Sequence, residues 1–269
     1  MAAAVVDRQR AWRDAGSVED RLMRVMVILP AHNEAGNVTP LVNALLAAAD
    51  GAKLDTRVLV VNDGSGDGTA AELAELSAQV GRLTVVTHRV NRGFAQALRT
   101  GIAAAREAGC DAAVFMDCDL SHRPEDFPRM IAAIESGADV VLGSRFVPGG
   151  GMVGVPAWRV AISRMGNLFG RVVLGIKVRD MTTGYRAMSR RVLDALTLTE
   201  DGFTIQLEAV VKAAAAGFTI AEVPIILSTR RHGVSHMYYS PELFARYYRL
   251  LMKCRQWLRE GRCAAAAGR

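Results

Sequence analysis

Aromatic residues are scarce, at 6% of the 269 positions, so the 51% hydrophobic content rests mainly on alanine, valine and leucine. No basic segment is interleaved with stacking aromatics, and a nucleic-acid partner is therefore not expected despite the formal net charge of +6. The four cysteines, Cys110, Cys118, Cys254 and Cys263, form no CxxC pair and have no histidine at zinc-ligand spacing. That argues against a disulfide framework or a zinc module and suits a reducing, cytoplasmic setting. Long apolar runs are missing too. The best candidates are broken by Arg164 and Arg171, or by Pro148, Pro156 and glycines, and none reaches the roughly 18 to 20 residues of a membrane-spanning helix. Residues 1–24 lack the apolar stretch of a secretory signal, and their alternating charges suit a flexible tail or a frayed helix.

What remains is a soluble composition with enough apolar residues for a sizeable core, in a length that allows one large domain and an appendage. From Arg24 to about Ser228, short β-branched runs alternate with longer helical segments, the signature of an α/β fold. Strands are expected at Val25–Leu29, Val58–Val61, Leu83–Thr87, Ala112–Met116 and Val140–Leu142. Each is nearly all apolar, as when both sheet faces are covered. Helices are expected at Val38–Ala49, Thr69–Val80, Phe94–Ala108, Pro124–Ser136 and Thr204–Ala216. Beyond Arg145 come a Gly/Pro-rich loop, Val147–Pro156, and an amphipathic segment, Trp158–Ile176. A last helix, Pro241–Glu260, sets Leu243, Phe244, Tyr247, Leu250, Leu251, Trp257 and Leu258 against five basic residues, which fits a membrane surface or ordinary packing on the core.

The sharpest chemical feature is Phe115-Met116-Asp117-Cys118-Asp119, an apolar strand ending in two carboxylates one residue apart. Held close together, two carboxylates repel unless a cation sits beside them, and hard oxygen ligands with a phosphate-bearing substrate suit Mg²⁺ or Mn²⁺. Two other strands end in polar runs, Pro30-Ala31-His32-Asn33-Glu34 and Asn62-Asp63-Gly64-Ser65, so three strands deliver candidate ligands to one edge. The following Gly66-Asp67-Gly68-Thr69 is neither a Walker loop nor a dinucleotide fingerprint, and Asp67 and Thr69 read as caps of the next helix. His88, His122 and His232 read as surface or structural.

In order, these motifs are joined by Asn91-Arg92-Gly93, Leu120-Ser121-His122, Gly143-Ser144-Arg145, Thr183-Gly184-Tyr185-Arg186, Gln206-Leu207-Glu208, Glu222-Val223-Pro224 and Arg230-Arg231-His232-Gly233-Val234-Ser235. The ordered set resembles glycosyltransferase family 2, with its GT-A fold, and within it the polyprenol- or dolichol-phosphate mannosyltransferases; it spans about Val25 to Met237. The resemblance implies a GT-A domain at 25–237, preceded by a 1–24 tail and followed by a helix and tail at 238–269. It assigns Pro30, His32, Glu34 and Asp63 to the nucleotide, and Asp117 and Asp119 to the metal and diphosphate. Arg145, Arg159, Ser163, Arg230 and His236 fall to the acceptor phosphate, with Asp117, Asp119, Arg145 and Arg230 as the catalytic set. Asp180, which otherwise reads as a turn residue, Gln206, and Glu208, which otherwise reads as structural, are candidate donor-sugar contacts, with at most one of Gln206 and Glu208 facing the pocket since they lie two apart on a helix.

The implied reaction moves mannose from GDP-mannose to a polyprenyl monophosphate with inversion, at the cytoplasmic surface of a membrane that the protein touches peripherally. Such an acceptor, with a second pKa near ~6, is already mostly dianionic at neutral pH, so no general base is required. Two departures stand out: His236 replaces a lysine usual after Gly-x-Ser, and His32 stands where tyrosine is frequent. A different donor such as UDP-glucose, or a soluble acceptor, keeps the same fold and metal. A non-catalytic nucleotide-sugar-binding protein is the other alternative, against which the retention of both aspartates argues.

Overall fold

The computed structural model describes residues 22–230 and 241–267. It opens with β1 (Arg24–Ala31), α1 (Val38–Gly51), β2 (Asp55–Asp63), α2 (Thr69–Gln79), β3 (Leu83–His88), α3 (Phe94–Ala108) and β4 (Ala112–Phe115). A short 3₁₀ turn, Pro124–Asp126, then leads into α4 (Phe127–Glu135), β5 (Val140–Ser144), β6 (Gly151–Met152) and α5 (Ala157–Leu174). The remainder is β7 (Arg186–Ser189), α6 (Arg190–Ala195), α7 (Thr204–Ala215), β8 (Ile220–Pro224), β9 (Ile226–Leu227) and α8 (Pro241–Ala267).

Seven strands form one sheet in the order β3-β2-β1-β4-β7-β5-β8, parallel except for β7, while β6 and β9 make a separate pair. The pleat of β1 explains its apolar sequence. Val25, Val27 and Leu29 enter one core with Leu41 and Leu45 of α1 and Phe127 and Met130 of α4; Met26 and Ile28 enter another with Leu98 and Ile102 of α3 and Val210 of α7. A strand buried on both faces has no need of polar alternation. α3 lies close on the sheet: a Cβ at Gly101 would come within 2.3 Å of the Ile28 side chain, so glycine there is a packing requirement.

Strand order reverses between β1 and β4, where connections diverge to opposite sides, and such switch points open a crevice beyond the C-terminal strand ends. Both polar runs, His32 to Glu34 and Asp117 to Asp119, emerge there. Four strands have no counterpart in the sequence expectations: β7 and β8 of the large sheet, and the separate pair β6 and β9. β7 runs antiparallel between β4 and β5, pairing Arg186 with Phe115, so the loop before it ends beside the β4 carboxylates. β2 also starts earlier than expected, at Asp55, and the expected helix Pro124–Ser136 divides into the 3₁₀ turn and α4. The boundary expected at 237 and 238 lies outside the described residues.

In α8, Leu250, Leu251, Cys254 and Leu258 are buried against the core, so among the described residues its apolar stripe packs inward rather than facing a membrane. α5 is the reverse: Trp158, Met165, Leu168, Phe169 and Val172 are all more than half exposed. Among the described residues no helix is long and apolar enough to cross a membrane.

Candidate active site

The first strand ends build one polar pocket wall. Gly64 has φ +64°, and a Cβ there would lie 2.4 Å from the backbone of Val90 and Asn91, so only glycine lets the two loops approach. β2–β3 register sets Asp63 opposite His88, and the carboxylate accepts from His88 Nδ1 at 2.6 Å and from the Arg92 and Gly93 N–H groups at 2.9 and 2.8 Å. His32 is tied in through its Nδ1, 2.9 Å from the Asp63 carbonyl, and its Nε2, 3.0 Å from Asn91 Nδ2. His88 is thus a buried structural histidine, not a surface one. Asp67 accepts from the Thr69 N–H at 3.0 Å and from the Ala35 N–H at 3.2 Å, so it closes the turn ahead of α2, but the N-cap position is Gly68 and the expected side-chain cap is not formed.

Beyond β4, Asp119 is largely buried and Asp117 about 41% exposed. Asp119 Oδ1 accepts from the Ser121 N–H at 3.0 Å, while Arg230 donates from Nη2 at 3.0 Å and Nε at 3.2 Å to Oδ2. The same Nη2 lies 3.4 Å from Glu34 Oε1. Arg230 therefore straddles the β1 and β4 ends, joining a proposed nucleotide residue to a proposed metal ligand. Burial acts to raise the pKa of both carboxyls. It prevails for Glu34, whereas hydrogen bonds from Ser121 and the charges of Arg230 and His122 hold Asp119 below the usual aspartate range.

Gly184 faces Asp117, and a Cβ there would sit 3.0 Å from Oδ2, leaving the carboxylate room that a side chain would take. No group of three metal-binding side chains is present among the described residues. A cation here would take its protein ligands from Asp117 and Asp119 and complete its shell with water and phosphate oxygens, the usual habit of Mg²⁺ with phosphorylated substrates. The residues fit that role.

Arg145 meets a buried acid. Its Nε and Nη2 donate to the two Asp180 oxygens at 2.6 and 2.7 Å, and its backbone N–H donates to Asp180 at 3.0 Å. Asp180 is fully buried. The donor-sugar reading of Asp180 gives way accordingly: a carboxylate enclosed by one guanidinium orients that guanidinium. Nη2 also donates to Thr182 Oγ1, which accepts from Asn167 Nδ2, and Asn167 in turn donates to the Ser163 carbonyl. Arg145 and Ser163 thus share one network, with Arg159 a turn earlier on α5.

Glu208 is a second correction. Fully buried on α7, it accepts from the Thr199 and Glu200 N–H groups at 2.9 and 2.8 Å and pairs with Lys212 at 2.7 Å, pinning a loop rather than facing a sugar. Gln206 is buried too; its carbonyl oxygen accepts from Arg186, a fully buried guanidinium whose pKa burial pushes down to about 10. Pro30 lies within β1, and His236 lies outside the described residues. The sequence placed Gly184 in a motif without a role and read His122 only as surface or structural, because what singles them out is a contact across the fold.

Paired carboxylates beyond β4, at the β1/β4 switch point of a mostly parallel mixed sheet flanked by helices, fit a glycosyltransferase of the GT-A class. Among solved structures, glucosyl-3-phosphoglycerate synthase of Mycobacterium tuberculosis, determined with Mn²⁺, UDP-glucose and phosphoglyceric acid, superposes with a TM-score of 0.60 at 21% identity, covering 93% of this chain and 82% of that one. The sequence matches glycosyl transferase family 2 over residues 26–197, and the chain belongs to that family. It is 36% identical over 233 residues to polyprenol monophosphomannose synthase of Mycolicibacterium smegmatis, covering 85% of this chain and 86% of the relative. It is 37% identical over 219 residues to undecaprenyl-phosphate mannosyltransferase of Micrococcus luteus, covering 80% and 88%.

Proposed function

We propose that this glycosyltransferase moves mannose from GDP-mannose to a polyprenyl monophosphate, with inversion and with Mg²⁺ or Mn²⁺ as cofactor. The observation that carries the reading is Arg230, whose guanidinium spans Glu34 and Asp119. A guanidinium held against the carboxylate that would face the donor diphosphate supports a phosphate-binding role for Arg230. The names of the two relatives support the lipid acceptor and the mannosyl group.

In this reading Asp117 and Asp119 would hold the cation, and the chemistry it would supply when bound is neutralisation of negative charge on the leaving diphosphate. His32, Glu34 and Asp63 belong to the nucleoside end. Arg145, oriented by Asp180, joins Arg159, Ser163 and Arg230 in receiving the acceptor phosphate, since guanidinium groups donate paired hydrogen bonds to phosphate oxygens. These arginines screen the repulsion between two anions, and positioning of an already ionised oxygen replaces proton abstraction. The membrane-facing surface is assigned to α5, where Trp158, Met165, Leu168 and Val172 follow helical spacing and are solvent-exposed, with Arg164 and Arg171 beside them.

The test is incubation with Mn²⁺ and radiolabelled GDP-mannose, or UDP-glucose, with and without a short polyprenyl phosphate, followed by organic extraction. Acceptor-dependent mannose label in the lipid phase is expected. Label from UDP-glucose alone would replace the donor, and tight donor binding without lipid label would point to a soluble acceptor.

A further inference from the structure

Asp117 and Asp119 differ in how they are held. Asp119 has Ser121 and Arg230. Asp117 is the more exposed, and among the described residues its ion-pair contact is with His122, whose Nε2 lies 3.5 Å from Oδ2, at the outer edge of hydrogen-bond reach. His122 is itself buried, with its ring tilted against Tyr185 at a centroid distance of 5.0 Å, and the Tyr185 hydroxyl is anchored on the Arg123 carbonyl at 3.2 Å. The ring therefore has little freedom.

The chain returns to Asp117 through an uncommon conformation. Leu120 has φ +61°, a left-handed backbone that β-carbon-bearing residues adopt only where their surroundings enforce it. This reversal directs the Ser121 N–H at Asp119 and brings His122 back onto Asp117. With Nε2 toward the carboxylate, Nδ1 is left buried, and no described group pairs with it. A residue present only to fill space would be apolar and would avoid that orphan atom.

We propose that His122 is a positioning residue for the metal-binding carboxylates: it donates through Nε2 to Asp117 and holds it in register with Asp119. The proposal rests on the metal role given to the aspartates under the proposed function. Outer partners of metal ligands commonly change metal affinity by about 10- to 100-fold when removed.

The test uses Mn²⁺ binding to the full-length protein with GDP, followed by electron paramagnetic resonance of free Mn²⁺, and needs no turnover. His122→Leu is expected to weaken Mn²⁺ binding at least about tenfold while its melting temperature stays within about 2 °C of the wild type or rises. His122→Gln, whose amide N–H can occupy the Nε2 position, is expected to retain affinity within about threefold, and His122→Asn, too short to reach, to behave like the leucine variant. Equal Mn²⁺ affinity in wild type and His122→Leu overturns the inference alone. Loss of affinity in all three variants that tracks loss of melting temperature assigns His122 to folding and also overturns it. Absence of Mn²⁺ binding in the wild type overturns the inference together with the metal role on which it rests.

Discussion

Asp180→Asn isolates the ion pair that presents Arg145. The substitution keeps the side-chain volume but replaces a carboxylate receiving three hydrogen bonds from Arg145 with an amide that offers one acceptor oxygen. Hydrogen bonds to charged groups contribute about 1.5–3 kcal/mol each, and breaking a buried pair costs about 3–5 kcal/mol. With Asp180 fully buried and the Arg145 side chain only 11% exposed, solvent can replace little of what is lost. A destabilisation of about 3 kcal/mol is expected, which in a chain of this size lowers the melting temperature by roughly 6–12 °C. Because Arg145 also loses its orientation, the KM for polyprenyl phosphate should rise about tenfold or more with little change for the nucleotide sugar. Thermal unfolding and steady-state kinetics read both effects. Arg145→Met combined with Asp180→Asn should be less destabilised than the two single effects added, by about 1 kcal/mol or more. A fall of less than about 2 °C in the single variant, with additivity in the double, would refute the idea that Asp180 acts through Arg145.

Gly184→Ala would place a Cβ 3.0 Å from Asp117 Oδ2, so kcat should fall at least about tenfold in a protein that still folds; unchanged kcat would remove Asp117 from the reacting region. The Cys110 and Cys254 thiols are pushed up to about 12 by burial, and Cys118 lies well above its ordinary value for the same reason. A Cys263→Ser variant should therefore show no rapid reaction with a thiol reagent at pH 8 until it is unfolded, and prompt labelling would contradict that burial. Leu168→Asp combined with Val172→Asp alters only exposed positions of α5, so stability should change little while sedimentation with anionic liposomes drops several-fold; unaltered sedimentation would move membrane contact elsewhere.

Strands β1, β2, β4 and β5 were legible because each is apolar on both faces, and their helices because alanine and leucine recur at helical spacing. β7 was not, since it opens with Arg186, a polar residue whose burial depends on carbonyls supplied by Thr183 and Gln206. The paired aspartates and the arginines were readable as chemistry because their motifs are local. The partners that tune them were not: Asp180 and Arg145 are 35 residues apart, and nothing in a Thr-Thr-Gly turn distinguishes a carboxylate clasped by a guanidinium from one facing a sugar. His88 looks like the end of a strand until β2–β3 register sets it on Asp63. His122 requires the left-handed Leu120, which no hydrophobic pattern records.

In the proposed mechanism the carboxylates at the end of β4 support divalent-metal-dependent transfer of mannose to a lipid phosphate. The most direct measurement compares wild type with Asp119→Asn for formation of extractable mannolipid from GDP-mannose and a short polyprenyl phosphate, with Mn²⁺ and with chelator. The account predicts label in the wild type with metal, and loss of at least about a hundredfold on chelation or in the variant, with the fold preserved by circular dichroism. Equal label in wild type and Asp119→Asn, or label undiminished by chelator, would contradict it.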